Sequence, residues 1–292
     1  MELVVDVTEM QALADRARLE GKRIALVPTM GALHQGHMSL VKLARERCDF
    51  LVVSIYVNPA QFAPEEDLGT YPRTLEKDEE RCHGAGVDVI FAPEDKTMYP
   101  EGYSTYVNVE GLSEVLCGAS RPTHFRGVTT IVAKLFNIVK PHIAVFGQKD
   151  AQQAMVIKRM TADLNWDIEI AVAPILREED GLAMSSRNRH LSAQERKGAV
   201  LLHQALSEAK VLLREGERSA DKLKKRMKDI ISAKALNRID YISVVEADSL
   251  RDVSEIKGET LLALAVYAGE TRLIDNMLIV ADDLKSVHEE GS

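Results

Sequence analysis

The sequence is poor in cysteine, in long apolar stretches and in net positive charge, and each shortage removes a class of protein. Cys48, Cys82 and Cys117 are its only cysteines. An odd number with no C-x-x-C pair suggests neither a disulfide framework nor a zinc site. Ordinary thiols in a reducing compartment are the expectation. No apolar run approaches the roughly 18 residues that a membrane-spanning helix needs, so no membrane partner is expected. The opening stretch, MELVVDVTEM, carries acidic groups and no basic n-region, which gives no expectation of a secretory leader. Acidic side chains outnumber basic ones, 45 to 37, for a net charge of −8. Nucleic-acid surfaces usually carry a basic patch, so no nucleic-acid partner is expected either. A local basic pocket for an anionic substrate is compatible with this balance.

What is present suits a globular protein of one large domain or two: 292 residues, 46% of them hydrophobic, enough for a substantial core. As far as about residue 175, strand-like apolar runs at 23–27, 50–57, 87–91, 142–146 and 168–173 alternate with helical patterns at 38–47, 75–82, 127–139 and 152–164. The pattern at 127–139 is apolar nearly all round, which predicts a buried helix. Continuous apolar strands alternating with helices predict a parallel sheet covered on both faces. The expected fold is therefore α/β: a Rossmann-like, doubly wound sheet over residues 1–175. Beyond it the pattern changes. SAQE at 192–195 fits a capping box, a long helix runs on toward Gly216, and a basic helix covers about 221–235. Strand-like runs follow at 239–245, 261–267 and 272–280. Helices followed by consecutive strands predict a smaller α+β domain over 176–284, with 285–292 as a flexible tail.

Ligands of an open parallel sheet bind beyond the carboxyl ends of its strands, so the segments after each strand are the candidates. The first is PTMGALHQGH, residues 28–37. Gly31 and Gly36 permit a tight turn and close approach to a ligand. His37 is expected to open the following helix, where free N–H groups and the dipole attract phosphate. A protonated imidazole there would stabilise added negative charge. For an isolated H-x-G-H, two satisfied surface histidines would be the plainer reading. The turn is neither a P-loop nor a G-x-G-x-x-G fingerprint, and no further ligand joins His34 and His37 to suggest zinc. After the second strand comes NPAQF, with Asn58 and Gln61; after the fourth comes GQKDAQQ, residues 147–153. Lys149 can reach nucleotide phosphates, Asp150 can cap a helix, and one of Gln152 and Gln153 can face the crevice. MSSRN, residues 184–188, places Ser185, Ser186 and Arg187 on a loop that suits a lid over phosphates or, more plainly, a solvated linker. Arg121 and His124 in RPTHFRG are equally suited to a carboxylate or to an ordinary charged loop. Asp78, in EKDEE, reads as part of a solvated helical face.

As a set, PTMGALHQGH, NPAQF, YPRT, HFRGV, GQKDAQQ and DGLAMSSRN closely resemble the pantothenate synthetase family, in its order and spacing and over essentially the whole chain. That family belongs with the nucleotidyltransferases related to class I aminoacyl-tRNA synthetases. HQGH resembles their H-x-G-H element and MSSRN their K-M-S-K-S-like loop. The resemblance implies an ATP-dependent, AMP-forming ligase that joins pantoate to β-alanine through pantoyl adenylate, with Mg2+ accompanying ATP. It implies that Met30, Gly31, Ala32, Leu33, His34, Gln35, Gly36 and His37 bind ATP. Gly147, Gln148, Lys149, Asp150, Leu176, Met184, Ser185, Ser186 and Arg187 join them. The catalytic set would be His34, His37 (as proton donor), Lys149, Ser185, Ser186 and Arg187. Gln61 and Gln153 would hold pantoate, with Asn58, Arg121 and His124 as further substrate contacts. Leu176 stands where the family more often has valine, a conservative change. A cytoplasmic homodimer is implied as well. Three other readings compete with this one. An adenylyltransferase acting on a phosphorylated substrate would favour arginines over the amides of NPAQF and Gln153. A non-catalytic nucleotide binder would be expected to lack His37, Lys149 or the SSR loop. A tRNA synthetase fragment sits poorly with the acidic balance.

Overall fold

The computed structural model describes residues 1–64, 66–280 and 283. The flexible tail expected over 285–292 lies outside the described residues. Contacts divide the chain into two compact units, one of residues 1–114 and 121–176 and the other of residues 115–120 and 177 onward. Among the described residues no helix is long and apolar enough to cross a membrane.

In chain order the elements are β1 (Glu2–Val4), α1 (Val7–Leu19), β2 (Ile24–Thr29), α2 (Gln35–Arg45), β3 (Phe50–Ile55), α3 (Leu75–Gly84), β4 (Val89–Phe91) and α4 (Asp95–Met98). Then follow α5 (Cys117–Ser120), α6 (His124–Val139), β5 (Ile143–Gly147), α7 (Ala151–Asp163) and β6 (Glu169–Ala173). The second unit continues with α8 (Ala193–Ala199), α9 (Leu201–Arg214), α10 (Ala220–Ile231), β7 (Asn237–Glu246), β8 (Thr260–Ala268) and β9 (Thr271–Ile279).

The first unit is built on a six-stranded sheet of order β1-β4-β3-β2-β5-β6, with every neighbouring pair parallel. β2, β3, β4 and β5 are buried along almost their whole length, as strands covered on both faces must be. From β2 the chain moves outward through β3 and β4, then returns to β2's other side for β5 and β6. The order therefore reverses between β2 and β5, and a crevice opens there beyond their carboxyl ends. β1 and α1 lie ahead of the first strand read from the sequence. Asp6 caps α1 by accepting the Glu9 N–H at 2.9 Å, and Met10, Ala14 and Ala17 bury its inner stripe. α6 is buried on most of its circumference, as its composition predicts.

The second unit packs α8, α9 and α10 on an antiparallel sheet, β7-β8-β9. Leu202, Leu206, Leu213, Leu223 and Met227 meet Leu262, Leu264 and Val266 in its core. The predicted capping box is present: Ser192 accepts the Glu195 N–H at 3.3 Å and Glu195 accepts the Ser192 N–H at 2.7 Å. The expected single long helix is instead two helices that meet at Val200. Just ahead of that break, the Gly198 carbonyl accepts from Asn237 Nδ2 at 3.0 Å.

Candidate active site

β2 ends at Thr29 beside the switch point, and the chain turns at once. Thr29 Oγ1 donates to the Ser54 carbonyl at 2.8 Å and accepts the Gly31 N–H at 3.2 Å. Gly31 and Ala32 both have left-handed backbones, φ 78° and 50°. At Gly31 a Cβ would lie 3.0 Å from an Ile55 methyl and 3.2 Å from Asp78, so both φ and space require glycine. Ala32 has no such exemption, and its conformation costs roughly 1–2 kcal/mol. Asp78 offsets this cost. It is fully buried, and its carboxylate accepts the Ala32 N–H at 2.9 Å, the Leu33 N–H at 2.8 Å and the Thr74 hydroxyl at 3.2 Å. The solvated role read from EKDEE is thereby corrected: α3 packs with this face inward.

The histidines follow. The helix begins at Gln35, earlier than the expected opening at His37, because His34 is itself the N-cap. Capping is reciprocal: His34 Nδ1 accepts the Gly36 N–H at 3.1 Å and His37 Nδ1 accepts the His34 N–H at 3.3 Å. The ring centroids are 4.1 Å apart. A ring nitrogen that accepts is unprotonated, so each neutral ring carries its proton on Nε2. Burial, then the neighbouring His34 and Lys149, press the His37 pKa down to about 3. At pH 7 His37 is therefore a neutral Nε2–H donor. A second ring beside it and a lysine nearby make a further positive charge unfavourable.

Next to this turn, residues 58–61 form a tight loop against α6. Gly127 makes the contact possible, since a Cβ there would lie 2.3 Å from the Ala60 carbonyl oxygen. Asn58, expected to touch substrate, is buried and its amide is fully engaged. Nδ2 donates to Gln61 Oε1 at 3.1 Å and to the Gly127 carbonyl at 3.0 Å. Oδ1 accepts from Ala60 N–H at 3.3 Å and from the Tyr99 hydroxyl at 2.8 Å. Asn58 thus shapes the loop and orients Gln61, whose Nε2 reaches Met30 Sδ at 3.0 Å. Arg121 is likewise redirected. Its guanidinium meets both Glu66 oxygens at 2.5 Å, so its charge is met by protein. His124 Nδ1 lies 2.9 Å from the Gln61 carbonyl, and burial, then Arg121, lowers its pKa to about 4. It holds the Gln61 main chain as a neutral Nδ1–H donor.

Across the switch point, β5 ends at Gly147 and Gln148–Asp150 form one 3-10 turn before α7. Lys149 Nζ is 3.8 Å from Asp150. Asp150 occupies the N-cap position, yet its side chain makes no cap bond. Gln152 is buried and donates to the Leu112 carbonyl at 2.8 Å. Gln153, half-buried, is the member of the pair with the more open position. Leu176, 40% exposed, closes the first unit.

In the second unit, residues 177–190 are held by charge. Arg177 grips Asp275 through two bonds, at 2.7 and 3.0 Å. Arg196 bridges Glu178 and Asp180 at 2.5 and 2.7 Å. Asn188 donates to Glu178 at 2.6 Å and to the Ala183 carbonyl at 3.0 Å. Ser185 accepts the Arg187 N–H at 3.2 Å and starts the turn Ser186–His190. Met184, Ser185, Ser186 and Arg187 are all half-buried. Among the described residues no three His, Cys, Asp or Glu side chains group as a metal site would need.

Sequence reasoning missed Asp78, Gly127, Glu66 and Asp275. Gly127 gave little local signal, because it stood at the start of the predicted helix, which in fact begins earlier, at His124. The Pantoate-beta-alanine ligase family model matches residues 2–278. Pantothenate synthetase of Acetivibrio thermocellus is 57% identical over 96% of this chain and 99% of its own length. The crystal structure of pantothenate synthetase from Thermus thermophilus superposes with a TM-score of 0.90 at 42% identity, covering 95% of this chain and 99% of that one. A Francisella tularensis pantoate-beta-alanine ligase, complexed with beta-gamma ATP and beta-alanine, superposes with a TM-score of 0.77 at 32% identity over 95% of this chain and 97% of its own.

Proposed function

This chain belongs to the pantoate–β-alanine ligase family, and we propose that it condenses (R)-pantoate with β-alanine at the expense of ATP, through pantoyl adenylate. The observation that carries the mechanism is the pair of mutually capping imidazoles at the start of α2, on the edge of the β2/β5 switch point.

In the first step a pantoate carboxylate oxygen attacks the α-phosphorus of ATP. The bond from that phosphorus to the bridging oxygen breaks and pyrophosphate leaves. Such a reaction needs alignment and charge stabilisation more than a covalent nucleophile. His34 and His37 supply Nε2–H donors to the phosphates. The proton-donor role that the resemblance implies for His37 falls to its Nε2–H, since Nδ1 keeps the His34 N–H. The backbone of residues 30–37 and 147–150 lines the nucleotide site, with Leu176 and Met184. Lys149, Ser185, Ser186 and Arg187 stabilise the pentacoordinate phosphorus and the departing pyrophosphate. Magnesium enters with ATP, as part of that substrate. Gln61 and Gln153 hold pantoate: neutral amides orient its hydroxyls and carboxylate without quenching the nucleophile. In the second step the β-alanine amine attacks the acyl carbon, the acyl–oxygen bond breaks, AMP leaves and the amine loses a proton. The same reading makes the enzyme a cytoplasmic homodimer, which sedimentation of the purified chain would check for its oligomeric part.

The test is exchange of labelled pyrophosphate into ATP with magnesium and pantoate but without β-alanine. Pantoate-dependent exchange is expected. If exchange is absent and β-alanine still releases AMP, the order of steps is wrong. If β-alanine releases nothing, the ligase reading fails.

A further inference from the structure

We propose that Asp78 is a positioning residue for this reaction, setting the two imidazoles through the backbone of the turn before them. Three observations carry this. Asp78 is fully buried, and its two oxygens take the N–H groups of consecutive residues, Ala32 at 2.9 Å and Leu33 at 2.8 Å. Those N–H groups converge on one carboxylate because Gly31 and Ala32 are both left-handed, φ 78° and 50°. One helical turn along α3, Arg81 donates to the Leu33 carbonyl at 2.5 Å. α3 therefore holds Leu33 from both sides, its N–H through Asp78 and its C=O through Arg81. The next residue is His34, the N-cap, whose own N–H is the bond that orients His37.

The arrangement is specific to a carboxylate. Asparagine has a single oxygen, and its amide nitrogen would face the second backbone N–H donor to donor. Glutamate adds a methylene where Oδ2 already lies 3.2 Å from where a Gly31 Cβ would be. Removing the carboxylate leaves Ala32 strained with nothing to hold it, and both rings lose their reference point.

The variants are Asp78→Asn, Asp78→Asn with Ala32→Gly, and Arg81→Met. Each is measured by pantoate-dependent pyrophosphate exchange and by multiple-bond NMR of isotope-labelled histidine, which reports the ring tautomer. For Asp78→Asn, turnover should fall about 10- to 100-fold, the cost of misplacing reacting groups. The Nε2–H tautomer signal of His37 should be lost or broadened, and KM for pantoate should change little. Ala32→Gly should recover part of the loss by relieving the left-handed strain. Arg81→Met should move both readouts in the same direction, less far. A folded Asp78→Asn with turnover within about twofold of the parent and an unchanged His37 tautomer would overturn the proposal; a loss of this size lies below what misplacement produces. So would a loss that vanishes as magnesium is raised, since that marks a metal ligand. If Asp78→Asn does not fold, Arg81→Met decides: unaltered histidine signals and turnover there overturn it. The activity arm rests on the ligase reading, while the tautomer arm does not, so exchange absent from the parent enzyme would count against that reading alone.

Discussion

The turn at residues 29–37 and the loop at residues 177–190 are fixed by opposite means. The first is held by side chains that bond its backbone: a threonine hydroxyl, two neutral imidazoles and one buried carboxylate, all accepting N–H groups, with Arg81 on the Leu33 carbonyl. The second is held by ion pairs, with Arg177 on Asp275 and Arg196 on Glu178 and Asp180. A site that must receive a polyphosphate gains from neutral donors that carry no counter-ion of their own. The ion pairs of the second lie on Arg177 and Arg196, outside the Ser185–Arg187 stretch proposed to meet the phosphates, so charge there serves to hold the loop's shape. The first region should therefore lose function before stability, and the second should lose stability first.

The sharpest way to break that contrast is His37→Ala. Removing a preorganised donor should lower turnover about 100- to 1,000-fold. The lost capping bond should cost stability only about 1 kcal/mol, measured by thermal melting beside the exchange assay. A melting loss as large as the catalytic one would erase the distinction. Gly127→Ala probes the scaffold of the same region. Its Cβ would meet the Ala60 carbonyl oxygen at 2.3 Å, so α6 and the loop at 58–61 must part, at about 3 kcal/mol. KM for pantoate should rise with the fall in melting temperature. Asp275→Asn tests the second region. Asp275 is almost wholly buried and Arg177 mostly so, so breaking the pair should cost roughly 3 kcal/mol or more in denaturant titration. Near-parent stability would show that the loop does not depend on charge.

Acid gives the mildest test. The folded pKa values of His37 and His124, about 3 and about 4, lie below the reference of 6.5. Between these values the unfolded chain binds more protons than the folded one, so stability falls as pH drops below about 6.5 and levels off below the folded values. From pH 7 to pH 5 each ring should contribute a loss of about 2 kcal/mol. His37→Ala should flatten the pH dependence of unfolding by that amount.

Much of this was legible in the sequence, for identifiable reasons. β2, β3, β5 and their helices announce themselves by unbroken apolar runs and helical spacing, and Ser192 with Glu195 marks the start of α8. β1 is three residues long, too short for any period to register, and its membership of the sheet follows from pairing with β4. The turn HQGH was visible as a place for chemistry, but the charge of His37 was not, because burial sets it first and His34 and Lys149 only after that. Asn58 and Arg121 illustrate a harder limit. An amide or guanidinium near a site can face the ligand or hold the wall, and only the partners decide: Gly127 and Tyr99 for Asn58, Glu66 for Arg121. Asp78 was hidden by its neighbours, since four acidic residues of α3 look alike until one of them is buried.

Residues 115–120 belong with the second unit although the first surrounds them in sequence. Ser120 bonds both oxygens of Asp240 at 3.1 Å, and Arg272 approaches Cys117 Sγ at 3.7 Å. On the ribosome this segment leaves the tunnel about 120 residues before Asp240, a wait of roughly 6–24 s at ordinary rates of synthesis. The first unit can close its sheet during that interval, but residues 115–120, which lie within its stretch of sequence, stay without their final neighbours until translation is nearly over. Dividing the gene after codon 176 would put them on a different chain from those neighbours, so the two halves should complement each other only when co-expressed.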